Sequence, residues 1–287
     1  MLSDTYELAN GVQIPKIGYG TWMIEEKAAA KRVKQAIAVG YRHIDTAQAY
    51  GNEAGVGAGI RNSGVPREAL FVTTKLAAEI KNYGQAVAAI EGSLEKMNID
   101  YIDMMIIHSP KPWAEFQGDE HYFAGNLSAW KALEEAYQAG KLRAIGVSNF
   151  EKEDLQNIIS HGTVKPMVNQ VLAHIGEIPT ELIRYTTEKG ILTEAYSPIA
   201  HGEMLKDQTI TKMATKYQVS IPQLAIRFLL QLGLLPLPKS ENSEHMKNNA
   251  AVDFDISATD METLLKVGKI DYGAYRSFPV FSKGFNN

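Results

Sequence analysis

Polar side chains that could do acid-base chemistry stand at the ends of short apolar runs in this chain. They are Asp45, Lys75, His108, Ser148 and Asn149, Gln170, Tyr196 and Ser197, and Lys239 and Ser240. Taken singly, Asp45 could cap a turn, Lys75 could be solvated at a rim, and His108 could be a hydrogen-bonded core residue. Burying all three beside the apolar residues 104–107 would cost several kcal/mol unless they pair with one another. The pattern therefore predicts one pocket in which these groups meet.

Eight β-rich or apolar runs alternate with amphipathic stretches, and these elements must position the polar groups. The runs cover residues 14–20, 43–46, 71–75, 101–108, 144–148, 167–170, 192–197 and 234–239. Strict alternation of strand and helix favours an α/β fold, the closed (β/α)8 TIM barrel, whose active site is built from loops at the carboxyl ends of its strands. We expect a single domain over residues 1–287, because no linker-like gap interrupts the alternation.

Helix and turn signals agree with a barrel. Apolar residues recur at three- and four-residue steps over 87–97 and 127–137, which gives each stretch one apolar stripe. Pro222 stands where a new helix would begin, and Ser257-x-x-Asp260 resembles a capping box for a further helix. An Asn-Gly turn within residues 6–14 predicts a β-hairpin that plugs one end of the barrel.

A doubly wound sheet is the alternative fold. Gly55-x-Gly57-x-Gly59 nearly matches the dinucleotide fingerprint G-x-G-x-x-G, but its third glycine falls one residue short. An acidic partner at the end of the next strand is also missing, because Glu79 lies in a loop-like stretch. We interpret these glycines as small residues where a helix packs closely on the barrel wall.

Composition limits the classes of function. The 287 residues are 45% hydrophobic and carry a net charge of −4 without a basic run, which argues against nucleic acid as a partner. No window approaches the roughly 18 consecutive apolar residues of a membrane span. Cysteine is absent, which excludes thiol chemistry, and the seven histidines include no H-E-x-x-H pair, so we expect no metal. Acids in residues 1–8 do not fit an export signal, and we expect a cytoplasmic monomer.

A long motif carries a resemblance to a known family. Gly40-Tyr-Arg-His-Ile-Asp45-Thr-Ala-x-x-Tyr50-Gly-Asn-Glu53-x-x-Val-Gly57 closely resembles the aldo-keto reductase signature. Further matches follow in order at residues 73–75, 103–108, 145–150, 169–170, 195–198 and 237–240. The resemblance covers nearly the whole chain. Within the family, the sequence is most similar to bacterial members that act on keto sugars, dicarbonyls and simple aldehydes.

The resemblance implies a catalytic tetrad of Asp45, Tyr50, Lys75 and His108. Carbonyl reduction needs a hydride for the carbon and a proton for the oxygen, and Tyr50 would donate the proton. Lys75 would lower the pKa of this phenol, and Asp45 would neutralise and aim Lys75. His108, as a neutral ring, would hydrogen-bond the substrate oxygen. The implied activity is NAD(P)H-dependent reduction of small aldehydes, ketones or keto sugars to alcohols.

The resemblance also implies the cofactor residues. The nicotinamide carboxamide is expected against Ser148, Asn149 and Gln170, with Tyr196 stacked on the ring and Ser197 beside it. Lys239, Ser240, His245 and Asn249 match the segment that grips the cofactor's 2′-phosphate. His245 stands where arginine is expected, and histidine is mostly neutral above neutral pH, so we expect NADPH to be preferred only modestly and NADH also to be accepted. Lys247 could instead replace the arginine.

For the substrate, the resemblance implies a rim of Trp22, Tyr50, His108 and Trp113, with residues 272–281 folding over the mouth. Ser109 follows the catalytic histidine where the commoner family pattern has tryptophan, so the substrate preference stays open. The remaining histidines are expected to be structural or on the surface: His43, His121, His161, His174 and His201.

Two other functions remain open at this point. Lys75 could form a Schiff base in an aldolase-like barrel, since a buried lysine at a strand end also suits that chemistry. The barrel could alternatively bind a cofactor for regulation or sensing without turnover.

Overall fold

An antiparallel hairpin and a barrel of parallel strands make up the β-structure. The structure, a computed structural model, describes residues 1–282. The strands are β1 (Thr5–Glu7), β2 (Gln13–Pro15), β3 (Gly18–Gly20), β4 (His43–Asp45), β5 (Phe71–Leu76), β6 (Ile102–Ile107), β7 (Leu142–Ser148), β8 (Val168–Leu172), β9 (Leu192–Tyr196) and β10 (Leu235–Leu237). Strands β3 to β10 form an 8-stranded sheet in chain order, and the amide of Gly20 donates to the carbonyl of Pro238 at 3.1 Å across the seam between β3 and β10. The predicted TIM barrel is confirmed, and the doubly wound alternative is wrong.

Helices follow the barrel strands. They are α1 (Glu26–Val39), α2 (Glu53–Arg61), α3 (Tyr83–Met97), α4 (Phe123–Gln138), α5 (Lys152–His161), α6 (Thr180–Glu188), α7 (Gln208–Lys216), α8 (Ile221–Gln231), α9 (Ser243–Ala250), α10 (Ala258–Leu265) and α11 (Pro279–Ser282). Pro222 lies in the first turn of α8, and Ser257 caps α10 by accepting the Asp260 amide, as the sequence predicts. Among residues 1–282, no helix has the length and apolar character needed to cross a membrane.

The hairpin of β1 and β2 covers the amino-terminal end of the barrel. The hydroxyl of Tyr6 donates to the carbonyl of Leu234 just before β10, and Asn10 donates to the carbonyl of Arg143 at the start of β7. The prediction of one strand over residues 14–20 is wrong, because Ile14 pairs with Tyr6 in the hairpin and β3 begins only at Gly18. The prediction for residues 234–239 also runs too far, because β10 ends at Leu237 before a proline that has no amide hydrogen.

The three closely spaced glycines lie on α2, where that helix approaches its neighbours. A Cβ atom at Gly55 would lie 2.6 Å from the carbonyl oxygen of Glu26 in α1, and one at Gly59 would lie 2.7 Å from Cβ of Val33. A Cβ atom at Gly57 would collide with the backbone of Met97 at the end of α3. Close packing explains these glycines, as the sequence interpretation expects, but the partners are the neighbouring helices α1 and α3 and not the barrel wall.

Candidate active site

The polar residues at the strand ends lie around one mouth of the barrel. Together with Tyr50, most of them line a cavity of about 620 Å³, whereas Lys75 and Ser240 do not. The lining polar groups include Asp45, Tyr50, His108, Ser148, Asn149, Gln170, Tyr196, Ser197 and Lys239. Parallel strands place their carboxyl ends on the same side of a barrel, which brings together residues that are far apart in the sequence.

Lys75 lies beneath the cavity floor and is fully buried. Its Nζ atom is 2.5 Å from Oδ1 of Asp45, 2.8 Å from the carbonyl oxygen of Thr46 and 3.2 Å from the hydroxyl oxygen of Tyr50. Neighbouring strands β4 and β5 bring these residues together, because Asp45 pairs with Thr73 and Lys75 follows on the same face. A buried ammonium group is tolerated when a carboxylate and further acceptors surround it, which is the arrangement here.

Burial and ion pairing oppose each other at the two members of the Lys75–Tyr50 pair. Burial alone would lower the pKa of Lys75, but Asp45 and Tyr50 outweigh it and hold that pKa above its ordinary value. Burial raises the pKa of Tyr50, and Lys75 offsets only part of this effect. Desolvation of the phenolate is the larger effect and leaves the pKa of Tyr50 above its ordinary value, although Lys75 lowers that pKa as the sequence analysis expects. Tyr50 keeps its proton at neutral pH.

His108 follows β6 and faces Tyr50 across the cavity, with ring centroids 5.7 Å apart. Burial, followed by the nearby charge of Lys75, holds the pKa of His108 well below its ordinary value, so the ring is neutral. Its Nδ1 atom is buried without a hydrogen-bond partner. A buried nitrogen lone pair costs less to leave unpartnered than a buried N–H, which favours the tautomer with hydrogen on Nε2, the atom free to reach the cavity.

The expected nicotinamide residues form a connected set at the ends of β7, β8 and β9. The Ser148 hydroxyl donates to the carbonyl of Gln170 at 2.8 Å, and the Tyr196 hydroxyl donates to Oδ1 of Asn149 at 2.7 Å. Asn149 and Ser197 adopt left-handed backbone conformations with φ of 60° and 53°. Such strain concentrates at functional sites. These amide groups, the Ser148 hydroxyl and the Tyr196 ring lie together at the cavity wall, an arrangement that suits a flat ring bearing a carboxamide.

The expected phosphate residues lie on the loop after β10 and on α9. Lys239 lines the cavity, whereas Ser240, His245 and Asn249 do not. His245 is exposed in the first turn of α9, and Asn249 is buried on the same helix. Sequence reasoning missed two charged neighbours of Lys239: Glu241, whose carboxylate lies 3.0 Å from the lysine, and Arg32, which lies 3.7 Å from Glu241. Glu241 is visible two residues after Lys239 in the sequence, but Arg32 has no local signal, because α1 and the loop meet only in the folded barrel.

Aromatic residues from separate segments form the rim. Trp22 lies edge-on to Phe278 with ring centroids 5.1 Å apart, and Phe278 and Phe281 line the cavity, so the carboxyl-terminal segment folds over the mouth as expected. Trp113 lies edge-on to His108 at 5.0 Å. An indole therefore contacts His108 although Ser109 stands where the resemblance led us to expect tryptophan.

One histidine prediction is wrong. His201 lines the cavity, where its ring stacks on Tyr275 at 4.2 Å, instead of being structural or at the surface. His43 and His174 are buried and hydrogen-bonded, in agreement with the sequence interpretation. Within residues 1–282, no group of three or more histidine, aspartate and glutamate side chains is placed to hold a metal ion.

Comparison with known proteins agrees with this geometry. Residues 16–269 match the model of the aldo/keto reductase family. A glyoxal reductase of Bacillus subtilis is 41% identical over 270 residues, which cover 93% of this chain and 94% of that protein. A 9,11-endoperoxide prostaglandin H2 reductase of Trypanosoma cruzi is 39% identical over 262 residues, covering 90% of this chain and 89% of that protein.

Solved structures agree as well. An aldo-keto reductase from Bombyx mori, determined in complex with NADP, superimposes with a TM-score of 0.84 and 31% identity, covering 98% of this chain and 99% of that one. The resemblance and the reaction class that the sequence predicts are confirmed. This chain belongs to the aldo/keto reductase family, and it is an NADP(H)-dependent oxidoreductase that acts on carbonyl groups.

Proposed function

We propose that this enzyme reduces small, uncharged aldehydes and vicinal dicarbonyls, with Tyr50 as the proton donor and NADPH as the preferred reductant. The observation that carries this proposal is the apolar, uncharged wall around Tyr50 and His108. The similarity to a protein named glyoxal reductase supports it.

The substrate end of the cavity is walled by Trp22, Ala49, Trp113, Phe278 and Val280. Within residues 1–282, the charged lining groups are Asp45 and Lys239. Both already have partners within the protein, since Asp45 is paired with Lys75 and Lys239 is paired with Glu241. A substrate carboxylate would therefore lose its hydration at Tyr50 without gaining a cation, which is costly.

Tyr50 and His108 divide the work at the carbonyl oxygen. Nε2–H of His108 donates a hydrogen bond that orients the carbonyl, and the Tyr50 hydroxyl transfers its proton to the oxygen as negative charge develops there. The phenolate that remains is stabilised by the Lys75 ammonium 3.2 Å away, and Asp45 keeps that ammonium in place. Proton exchange with solvent restores the phenol.

The reduced nicotinamide, when bound, supplies the hydride for the carbonyl carbon. Ser148, Asn149 and Gln170 would hold its carboxamide, and Tyr196 would pack on the ring face, which positions the reacting atoms. The cofactor's 2′-phosphate would be held by residues after β10 and on α9, namely Lys239, Ser240, His245 and Asn249.

We do not adopt the two alternatives. A Schiff-base role needs a neutral amine, whereas Lys75 makes three hydrogen bonds and has a raised pKa. A sensor without turnover has no need of a complete tetrad. The single domain over residues 1–287 and the cytoplasmic, monomeric state stay predictions.

The test is a pair of substrates that differ in charge and otherwise only by one methyl group. We expect kcat/KM for methyl 4-formylbenzoate to exceed that for 4-formylbenzoate by at least about tenfold, because the carboxylate gains no partner in the cavity. Methylglyoxal and a neutral keto sugar complete the panel. Turnover of each compound is measured as the loss of absorbance of the reduced nicotinamide. Equal rates for the ester and the acid would overturn the substrate class, and no turnover on the panel would overturn the reductase itself.

A further inference from the structure

A buried carboxyl group lies under the expected nicotinamide site and has no part in the mechanism above. Glu194 is wholly buried on β9, two residues before Tyr196. Successive side chains of a strand alternate between its faces, so Glu194 and Tyr196 share one face. Tyr196 lines the cavity, and Glu194 therefore occupies the layer directly beneath it.

Gln170 connects this carboxyl group to the tetrad. Strands β8 and β9 pair Gln170 with Glu194 in register. Nε2 of Gln170 lies 2.7 Å from Oε2 of Glu194 and 2.9 Å from Oδ2 of Asp45. An ionised aspartate only accepts hydrogen bonds, so the amide nitrogen of Gln170 must face Asp45. Its two hydrogens are then shared between two carboxyl groups, which leaves the amide oxygen for the cavity that Gln170 lines.

We propose that Glu194 is a positioning residue for the nicotinamide: it accepts the second N–H of Gln170 and so keeps the amide oxygen of that residue turned toward the cofactor. Without Glu194, Gln170 would be held by Asp45 alone, and the amide could rotate about that contact. The inference rests on the proposed function, because that function assigns Gln170 to the nicotinamide carboxamide.

The charge state of Glu194 suits this role. The groups that face it are Gln170 from β8, Asp45 from β4 and Lys75 from β5, with Leu235 of β10 paired to it in register. Burial, followed by repulsion from Asp45, raises the pKa of Glu194 to about 8 against the opposing effects of Gln170 and Lys75. Its Oε1 atom has no hydrogen-bond partner, which an un-ionised acid tolerates better than a carboxylate does.

The charge on Glu194 affects the oxidised and the reduced cofactor differently. The oxidised nicotinamide ring is a cation, and the reduced ring is neutral. A charge on Glu194 attracts only the oxidised ring, so ionisation at high pH favours NADP⁺ over NADPH. At neutral pH the un-ionised acid positions Gln170 without this preference for the oxidised product.

The experiment measures cofactor binding rather than turnover, by calorimetric titration of NADPH and NADP⁺ at pH 7 and pH 9.5. Glu194→Met removes the acceptor at similar volume, and we expect it to weaken NADPH binding about five- to twentyfold. Glu194→Gln keeps an acceptor but cannot ionise, and we expect binding within about twofold of wild type at pH 7. Glu134→Gln is the matched control, because Glu134 is buried outside the cavity and accepts the amides of Thr163 and Val164.

The pH arm decides the role if Glu194→Met does not fold. Between pH 7 and 9.5, the ratio of the NADP⁺ to the NADPH dissociation constant should fall at least about threefold further in wild type and Glu134→Gln than in Glu194→Gln. Identical ratios in all three proteins, or NADPH binding by folded Glu194→Met at wild-type strength, would overturn the role of Glu194. Failure of the wild type to bind either cofactor would instead overturn the proposed function.

Discussion

The Nζ atom of Lys239 lies 3.0 Å from Oε1 of Glu241, and Nε of Arg32 lies 3.7 Å from the other oxygen of that carboxylate. If Lys239 holds the cofactor's 2′-phosphate, as we propose, an acid of the chain itself competes with that phosphate for the nearby cations. We expect Glu241→Gln to raise the ratio of kcat/KM for NADPH to that for NADH about three- to tenfold, more at low salt. Glu244→Gln is the control, because Glu244 pairs with Lys247 instead. An unchanged ratio would place Glu241 outside the phosphate site.

His245 stands exposed in the first turn of α9, where the family pattern has arginine. Arginine has a permanent charge and two parallel donors that match a phosphate, so His245→Arg should increase the NADPH preference about three- to tenfold. The measurement is kcat/KM for both cofactors. If Lys247→Gln removes the wild-type preference and His245→Arg changes nothing, Lys247 is the cation that replaces the arginine.

Tyr50→Phe removes the hydroxyl that we propose as the proton donor and leaves the ring in place. We expect kcat to fall on the order of a hundredfold or more, while the dissociation constant of NADPH stays within about twofold. Steady-state rates and cofactor titration check the two parts separately. A kcat close to that of wild type would remove Tyr50 from the role of acid.

Lys75→Met removes the cation that partly offsets the effect of burial on the pKa of Tyr50. The pKa of Tyr50 is already raised by burial, and losing Lys75 should raise it further, so the residual kcat should show its alkaline limb at higher pH than in wild type. Asp45 would also lose its partner, which should destabilise the fold by about 3–5 kcal/mol. Rate profiles and urea unfolding give the two readouts. An unmoved alkaline limb would show that Lys75 does not tune the phenol.

Glu194→Gln should change how stability depends on pH. The pKa of Glu194 is about 8 in the folded protein, above its ordinary value of 4.5, so the native state holds this proton more tightly than the unfolded chain does. The contribution of this proton to the free energy of unfolding is fully present below about pH 4.5 and is lost as the pH rises through about 8. Relative to Glu194→Gln, wild type should lose about 2–5 kcal/mol of unfolding free energy between pH 5 and pH 9. Urea unfolding measures this, and parallel pH dependences would contradict a buried, un-ionised acid.

The sequence by itself determined the barrel and most of the cavity-lining groups. The alternation of strands and helices is a local pattern, and a barrel of parallel strands leaves only one place for the residues at the strand ends. The sequence pattern alone therefore brings Asp45, Lys75 and His108 together. The sequence did not determine every strand boundary. Residues 14–20 carry one continuous β-rich pattern, although Ile14 belongs to the hairpin and the first barrel strand begins at Gly18.

Only the tertiary structure decided the balance of charge and orientation within that cavity. The direction of the Tyr50 pKa depends on how completely the phenol is buried, and the orientation of the Gln170 amide depends on two carboxyl groups from other strands. His201 reached the cavity only because the carboxyl-terminal segment packs against its loop. Burial and distance between residues remote in the chain fix these properties, and no local pattern in the sequence encodes either quantity.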